Sequence, residues 1–279
     1  MNNADQIEYW NGPAGQKWVD QSNRLDAMLA PFADKVIAAA DLKSGEAVMD
    51  IGCGAGALNL RAAAKVGAAH GALGVDVSAP LIALARARAA EANAPARFEL
   101  ADASVFTAPD PVGIVISRFG VMFFEDPAPA FANIRQSVKP DGRLAFICWQ
   151  ALSLNDWALA PLQAAMAFLK EAPAPADPTA PGPFAFHDKD RVARILSDAG
   201  WANVSIDPVE TAIILPGDDV ETTAKFMMQL GPLSRLLAAQ GIDEAQVEAA
   251  LITLMQDHKK PDGRIAMKSA CWMVSADNA

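Results

Sequence analysis

Two hydrophobic patterns alternate over the first 150 residues of the chain. Short continuous apolar runs, typical of parallel strands buried on both faces, lead into Asp50, Asp76 and Asp102 and recur at 114–117 and 144–149. Between them, apolar residues recur at helical spacing over Asp26–Ala40, over Leu58–Val66, over a segment that Ser78 can cap and that runs to Asn93, and from Pro127 to the turn at 139–142. This alternation predicts an α/β fold with a doubly wound sheet.

The pattern changes after Gln150. An apolar helix is predicted over 157–169, and Asp188 or Asp190 begins another that Gly200 ends. Between these helices, residues 171–183 are proline-rich, which fits either a stiff surface linker or a lid over the sheet edge. The remaining predicted elements are strands at 203–206 and 211–215, helices at 219–230, 233–240 and 243–257, and a final strand from Ile265 to Val274.

Composition excludes several classes of protein. The 279 residues carry a formal net charge of −10, which argues against nucleic acid as the main partner. No run of 18 apolar residues is present, so we expect no membrane span. Cys53, Cys148 and Cys271 are scattered and the three histidines form no zinc pattern, so we expect no metal site. The first residues lack a signal-peptide pattern, and a cytoplasmic location is expected.

Three glycines follow the first strand directly. Gly52, Gly54 and Gly56 lie between Asp50 and a helix-like run, where they permit positive φ angles and close approach of a ligand. The free N–H groups of the helix N-terminus can then face an anionic group. This arrangement predicts a cofactor site, although a dinucleotide fingerprint using Ala57 or a plain tight turn also fits the glycines alone.

Acidic residues close the first three strands. Asp76 can accept hydrogen bonds from both ribose hydroxyls of a nucleoside, and Asp102 can accept one from an adenine amino group. Asp50, Asp76 and Asp102 should therefore lie along one edge of the sheet, where open α/β sheets bind their ligands.

These motifs resemble those of the class I S-adenosylmethionine (SAM)-dependent methyltransferases, particularly the small-molecule group that includes the ubiquinone and menaquinone enzymes. Residues 50–56 resemble the D-x-G-x-G-x-G motif, 74–78 the ribose motif and 102–103 the adenine pair. The resemblance is strong over 45–150. It implies a mostly parallel, seven-stranded Rossmann-like sheet whose last strand is antiparallel and forms a hairpin with the strand before it. Gly113 departs from the pattern, because the family usually has an acid there; we expect only a loss of local support.

The resemblance implies SAM as cofactor and S-adenosylhomocysteine (SAH) as product. It also implies the cofactor-binding residues, to which the aromatic N-terminal segment adds two tryptophans that can wall the sulfonium. The predicted cofactor-binding residues are Trp10, Trp18, Asp50, Gly52, Cys53, Gly54, Asp76, Val77, Leu81, Asp102, Ala103, Ser117, Arg118 and Phe119.

Few residues are candidates for catalysis. Arg118 follows the fourth strand and can bind an anionic substrate group or form an ion pair with the N-terminal segment. Tyr9, the only tyrosine, belongs to an N-terminal segment that folds over the cofactor or packs as an ordinary helix. His187 lies where the proline-rich segment would meet the site, or simply at the start of a surface helix.

The predicted organisation has four parts. Residues 1–40 form an N-terminal helical lid, 41–150 the SAM-binding core, 151–202 a helix and proline-rich lid insertion, and 203–279 the C-terminal strands with a helical substrate cap at about 217–260. The predicted function is transfer of a methyl group to a small molecule by in-line displacement, in a monomer or a homodimer. The alternatives are non-methylating chemistry with bound SAM and a nicotinamide-dependent oxidoreductase.

Overall fold

The computed structural model describes residues 4–169, 177–240 and 243–279. Residues 171–176 of the proline-rich segment predicted as a linker or lid lie outside the described residues, whereas 177–183 are described.

Seven strands form one mixed sheet in the order β3-β2-β1-β4-β5-β7-β6. Strands β1 to β5 pair in parallel, whereas β7 pairs antiparallel with both β5 and β6. The structure therefore confirms the predicted Rossmann-like sheet with its antiparallel last strand. The strands are β1 (Val48–Ile51), β2 (Ala72–Asp76), β3 (Ala96–Leu100), β4 (Val112–Arg118), β5 (Val138–Trp149), β6 (Ala202–Leu215) and β7 (Ile265–Asn278).

Among the described residues, three helices precede β1, single helices connect β1 to β2, β2 to β3 and β4 to β5, and two helices lie between β5 and β6. The helices are α1 (Ala4–Asn11), α2 (Pro13–Asp20), α3 (Ser22–Ala40), α4 (Ala57–Val66), α5 (Ala79–Glu91), α6 (Pro127–Gln136), α7 (Asp156–Met166), α8 (Lys189–Asp198), α9 (Val220–Met228), α10 (Gly231–Gln240) and α11 (Glu244–Asp257). Among them, none is long and apolar enough to cross a bilayer.

Right-handed crossovers decide which face of the sheet each helix covers. The chain moves one way through α4 and α5 to β3, and the other way through α6 to β5, so these connections lie on opposite faces. Helix α3 packs on β4 and β5 and contacts α4, while α6 contacts α8. The central strands are consequently buried on both sides, which explains their continuous apolar sequences.

Three strand boundaries differ from the sequence prediction. Residues 139–142, predicted as a turn, belong to β5, and the two runs predicted at 203–206 and 211–215 form the single strand β6. Strand β7 continues to Asn278, four residues past its predicted end. The extended ends of β7 and β6 have partners, because β7 pairs with β5 from Trp149 back to Gly142 and with β6 along its length, whereas 139–141 lie at an irregularity between Val138 and Arg143, which pair with β4. Local patterning does not show such partners.

The missing acid at Gly113 has a spatial substitute. A Cβ at Gly113 would lie 2.7 Å from Oε1 of Glu46, so the carboxylate of Glu46 occupies the space beside this glycine. Arg143 of β5 donates to both oxygens of Glu46 at 2.6 and 2.9 Å. Burial alone would raise the pKa of Glu46. The hydrogen bonds from Arg143 and from the Lys43 amide outweigh this effect, so the pKa lies below its usual value. The support that the sequence predicted to be lost is supplied by another element.

Helices α9, α10 and α11 fill the connection between β6 and β7. Helix α11 contacts α9 and α7, and α10 contacts α7. The predicted helical insertion is therefore present as a cluster that packs on α7.

Candidate functional site

A cavity opens at the carboxyl ends of the parallel strands, where the strand order reverses between β1 and β4. It encloses about 190 Å³ of space that the centre of a water molecule can reach. Its walls come from the N-terminal helices α1 to α3, from the loops after β1 to β4, from the end of β5, from α5 and α7, from Pro183, and from Leu230 and Gly231 at the start of α10. Ligands of open α/β sheets bind at such a reversal.

Twelve residues predicted from the sequence to bind the cofactor line this cavity. They are Trp10, Trp18, Gly52, Cys53, Gly54, Asp76, Val77, Leu81, Asp102, Ala103, Arg118 and Phe119. Asp50 and Ser117 lie directly behind the lining and are buried. Tyr9 and His187 are not among the lining residues.

The glycine loop is shaped by two kinds of glycine. Gly52 (φ +65°) packs on the loop after β4, where a Cβ would lie 2.6 Å from the Gly120 Cα atom. Gly54 (φ +53°) has no atom within 4 Å of the position that a Cβ would take, although it lines the cavity. Gly52 is therefore required for packing between loops, whereas Gly54 leaves room for a ligand to approach the backbone.

Asp76 organises the loops at the end of β2. Its carboxylate accepts hydrogen bonds from the amides of Gly54 and Ser78, both at 2.8 Å. Burial raises the pKa of Asp76, although these hydrogen bonds act in the opposite direction. Ser78 stands at the N-terminus of α5 as predicted, but its side chain makes no cap. Its hydroxyl instead donates to the Trp10 carbonyl oxygen at 2.8 Å, which ties the N-terminal segment to this loop.

Asp50 and Ser117 support the loops from behind. Asp50 is 1% exposed, and neither of its carboxylate oxygens has a hydrogen-bond partner. Burial, reinforced by the nearby charge of Asp76, raises the pKa of Asp50 well above its usual value against the opposing influence of Arg118. Ser117 donates to the Ile51 carbonyl oxygen and accepts from the Gly120 amide. It thereby connects the loops after β1 and β4.

Arg118 forms an ion pair with the N-terminal segment. Its Nη2 lies 3.5 Å from Oδ1 of Asp26 in α3, and its Nη1 donates to the Leu29 carbonyl oxygen. Asp26 also binds Arg88 of α5 at 2.8 Å. Of the two roles that the sequence left open for Arg118, the contact with α3 is the one present.

The other two catalytic candidates lie elsewhere. Tyr9 is 38% exposed, and its ring lies 4.8 Å from the guanidinium carbon of Arg235. His187 is half-buried; its Nδ1 lies 2.9 Å from the Phe184 carbonyl oxygen, and its own carbonyl accepts from the Trp272 indole. The structure does not bring either side chain to the cavity.

Several lining residues were not predicted from the sequence. They include Gln6, Asp26, Met28, Phe123, Trp149, Trp157 and Leu230. The Oε1 atom of Gln6 is buried and has no hydrogen-bond partner. The one available signal was Trp149, which ends an apolar strand at the ligand-binding edge. The others lie on helices or in connections between elements, and their position relative to the sheet is a tertiary property.

Phe119 adopts a backbone conformation that is rare for a bulky residue. Its φ is +63°, and its ring stacks on Trp149 with centroids 4.0 Å apart and planes 5° from parallel. Strain of this kind persists only where surrounding contacts hold it, and it concentrates at binding sites. The turn directs Phe119 into the cavity wall.

Comparison with known proteins agrees with this geometry. A family model described as a methyltransferase domain matches residues 48–142. An uncharacterised protein of Mycobacterium tuberculosis is 30% identical over 131 residues, which are 47% of each chain. Nocamycin O-methyltransferase of Saccharothrix syringae is 28% identical over 183 residues, 62% of this chain and 65% of that one. The matched region thus spans about half to two thirds of these relatives.

A solved structure shows the same fold over most of the chain. The YcgJ protein of Bacillus subtilis superposes with a TM-score of 0.58 and 18% identity, covering 89% of this chain and 98% of the other. None of these comparisons singles out the ubiquinone and menaquinone subgroup. The family match, the strand order and the glycine loop together place residues 48–142 of this chain in the methyltransferase domain family with the class I SAM-dependent fold.

Proposed function

We propose that this protein is a SAM-dependent methyltransferase that acts on a small-molecule acceptor and releases SAH. One observation carries the proposal: Gly54 and Asp76 meet at the same cavity, at the strand-order reversal of a methyltransferase domain. The open space beside the Gly54 Cα atom is where the backbone can accept a ligand at close range.

The residues of the cavity fit SAM. Asp76 would hold the ribose and Asp102 the adenine amino group, with Leu81 and Ala103 beside the base. Trp10 and Trp18 have centroids 5.5 Å apart and lie in the lining, where they would offer an aromatic face to a cation. Bound SAM would supply a methyl group already activated on its sulfonium.

The protein's own contribution is then to hold the acceptor and exclude water. Trp10 contacts Trp18 and Phe123 edge to face, so the N-terminal helices and the loop after β4 meet over the cavity. The lining is predominantly apolar and aromatic, which suits a small acceptor, and the net charge of −10 does not favour nucleic acid. Homodimer formation and a cytoplasmic location remain predictions.

A binding experiment tests the cofactor. We expect isothermal titration calorimetry to detect SAM and SAH and not NAD. Asp76→Ala should weaken SAH binding by roughly 1.5–3 kcal/mol, the scale of a hydrogen bond to a charged group. Asp110→Ala, at an exposed aspartate, is the matched control.

Three outcomes would contradict parts of the proposal. Unchanged SAH affinity in Asp76→Ala would remove the ribose assignment, and NAD binding without SAM binding would favour the oxidoreductase. If SAM binds but no labelled methyl group ever leaves it in a search of acceptors, non-methylating chemistry becomes the better interpretation.

A further inference from the structure

The cavity divides along the order of the strands. Its cofactor half lies at the ends of β3, β2 and β1, with the glycine loop, Asp76 and Asp102. Its other half lies at the carboxyl ends of β4 and β5. We call the residues of that half the acceptor wall: Leu29, Phe119, Phe123, Trp149, Trp157 and Leu230.

Aromatic rings dominate the acceptor wall. Phe119 stacks on Trp149, and the Trp149 ring lies 4.9 Å from that of Trp157 with planes 47° apart. Trp149 and Trp157 are each 4% exposed, so surrounding residues hold both rings in place. Rigid aromatic walls favour offset stacking with a planar ligand over contact with a flexible chain.

The charged groups beside this wall neutralise one another. Among the described residues that line the cavity, Asp26 and Arg118 are the charged pair on this side, and they bind each other. Arg88 donates to Asp26 from behind, and the second Arg118 nitrogen donates to the Leu29 carbonyl oxygen. The group therefore has its hydrogen bonds in place without a ligand.

A charged acceptor would be disfavoured in this environment. It would lose its hydration against an apolar wall, which is costly without a free opposite charge. A cation would face the Arg118 guanidinium and a carboxylate, that of Asp26, which Arg118 and Arg88 already bind. An anion would have to compete with Asp26 for Arg118. An uncharged ring system loses little hydration and does not compete for Arg118 or Asp26.

We propose that the methyl acceptor is an uncharged molecule with a flat, conjugated ring system, bound between the acceptor wall and the cofactor. This inference rests on the proposed function, because it concerns the second half of the same cavity.

Four probes test charge and shape separately on the full chain saturated with SAH. 2-Naphthol is uncharged at neutral pH, 2-naphthoate is an anion, 2-naphthylmethylamine is a cation, and 2-decalol is the uncharged saturated analogue. We expect calorimetry to show 2-naphthol binding at least about tenfold more tightly than each of the others. An ion binding as tightly as 2-naphthol, equal binding of 2-decalol, or no binding by any probe at millimolar concentration would overturn the proposal.

A pair of variants locates the binding. Trp157→Leu should weaken 2-naphthol at least about fivefold while SAH affinity is unchanged. Trp272→Leu, at a half-buried tryptophan of β7 outside the cavity, should change neither. Equal effects of the two variants on 2-naphthol would overturn the location. Failure of SAH itself to bind would instead count against the proposed function, which keeps the two results apart.

Discussion

At the scale of single residues, glycines with similar backbone angles have different roles. Gly54 and Gly45 both have positive φ, and neither has an atom within 4 Å of the position of a Cβ. Gly54 lines the cavity, whereas Gly45 does not. Substitutions at the two glycines therefore distinguish the effect of backbone strain from the effect of filling space that a ligand needs.

We predict that Gly54→Val abolishes SAH binding and that Gly45→Val leaves it unchanged. Both variants should lose a similar amount of stability, because a β-branched residue is strained at positive φ. Calorimetry with SAH and thermal unfolding measure the two effects. Near-normal SAH affinity in Gly54→Val would show that the cofactor does not lie against the loop.

The buried carboxyl of Asp50 should make the stability of the protein depend on pH. Because burial raises its pKa, Asp50 keeps its proton in the folded protein at pH values where the unfolded chain, with a pKa of about 4, has lost it. The folded state then binds more protons, so the free energy of unfolding falls as pH rises. Asp50→Asn removes this contribution. Urea unfolding between pH 5 and pH 8 should show a shallower decline for Asp50→Asn than for wild type.

Asp76 has a pKa raised in the same direction, so part of the decline should remain in Asp50→Asn. Asp110→Asn, at an exposed aspartate, should keep the full decline. Equal slopes in wild type and Asp50→Asn would show that Asp50 is ionised in the folded protein.

At the scale of elements, α1 is attached by few contacts. It has no buried residue, yet its last residue, Asn11, donates to the Val77 carbonyl oxygen at 2.8 Å and accepts from the Ala79 amide at 2.9 Å. Trp10 accepts from Ser78 beside it. The N-terminal segment is therefore held by the loop that follows Asp76, and its closure should depend on that loop.

We predict that Asn11→Ala opens this segment without unfolding the protein. Limited proteolysis should cut Asn11→Ala within residues 4–20 several-fold faster than wild type, while the thermal midpoint changes little. SAH should slow cleavage of the wild-type segment, because binding favours the closed population. Asn23→Ala is the control, because Asn23 lies on α3 and its side chain accepts a hydrogen bond from Arg88 rather than from the loop after Asp76. Equal cleavage with and without SAH would remove the segment from the site.

At the scale of the whole molecule, the cavity gathers distant parts of the chain. Helices α1 to α3 come before the matched methyltransferase region, while Trp149, Trp157 and Leu230 follow it. The family region supplies the cofactor half, and the flanking parts supply most of the rest. Relatives that share residues 48–142 can therefore differ in the acceptor that they take.

We predict that SAH protects these distant parts together. Hydrogen exchange should slow in α1, in the glycine loop and around Leu230 on addition of SAH, because a ligand stabilises every unit that must be closed to contain it. Helix α8 does not line the cavity and is the internal control. Protection confined to residues 48–103 would show that the flanking parts close independently of the cofactor.

The sequence alone determined the fold class and named most of the residues that line the part of the cavity where we propose that the cofactor binds. The glycines and aspartates at strand ends can be recognised from the neighbouring sequence. A tight turn needs a residue such as Gly54, and a parallel strand presents Asp76 at its carboxyl end. The mostly parallel, seven-stranded sheet and the antiparallel β7 agree with the expectation taken from the resemblance.

Only the tertiary structure decided the acceptor half. It paired Arg118 with Asp26, placed Glu46 beside Gly113, and brought Trp157 and Leu230 to the cavity while leaving Tyr9 and His187 outside. These relations join residues far apart in the chain. They depend on how helices pack on the sheet, because helix packing angles and long-range contacts leave no periodic mark in the sequence.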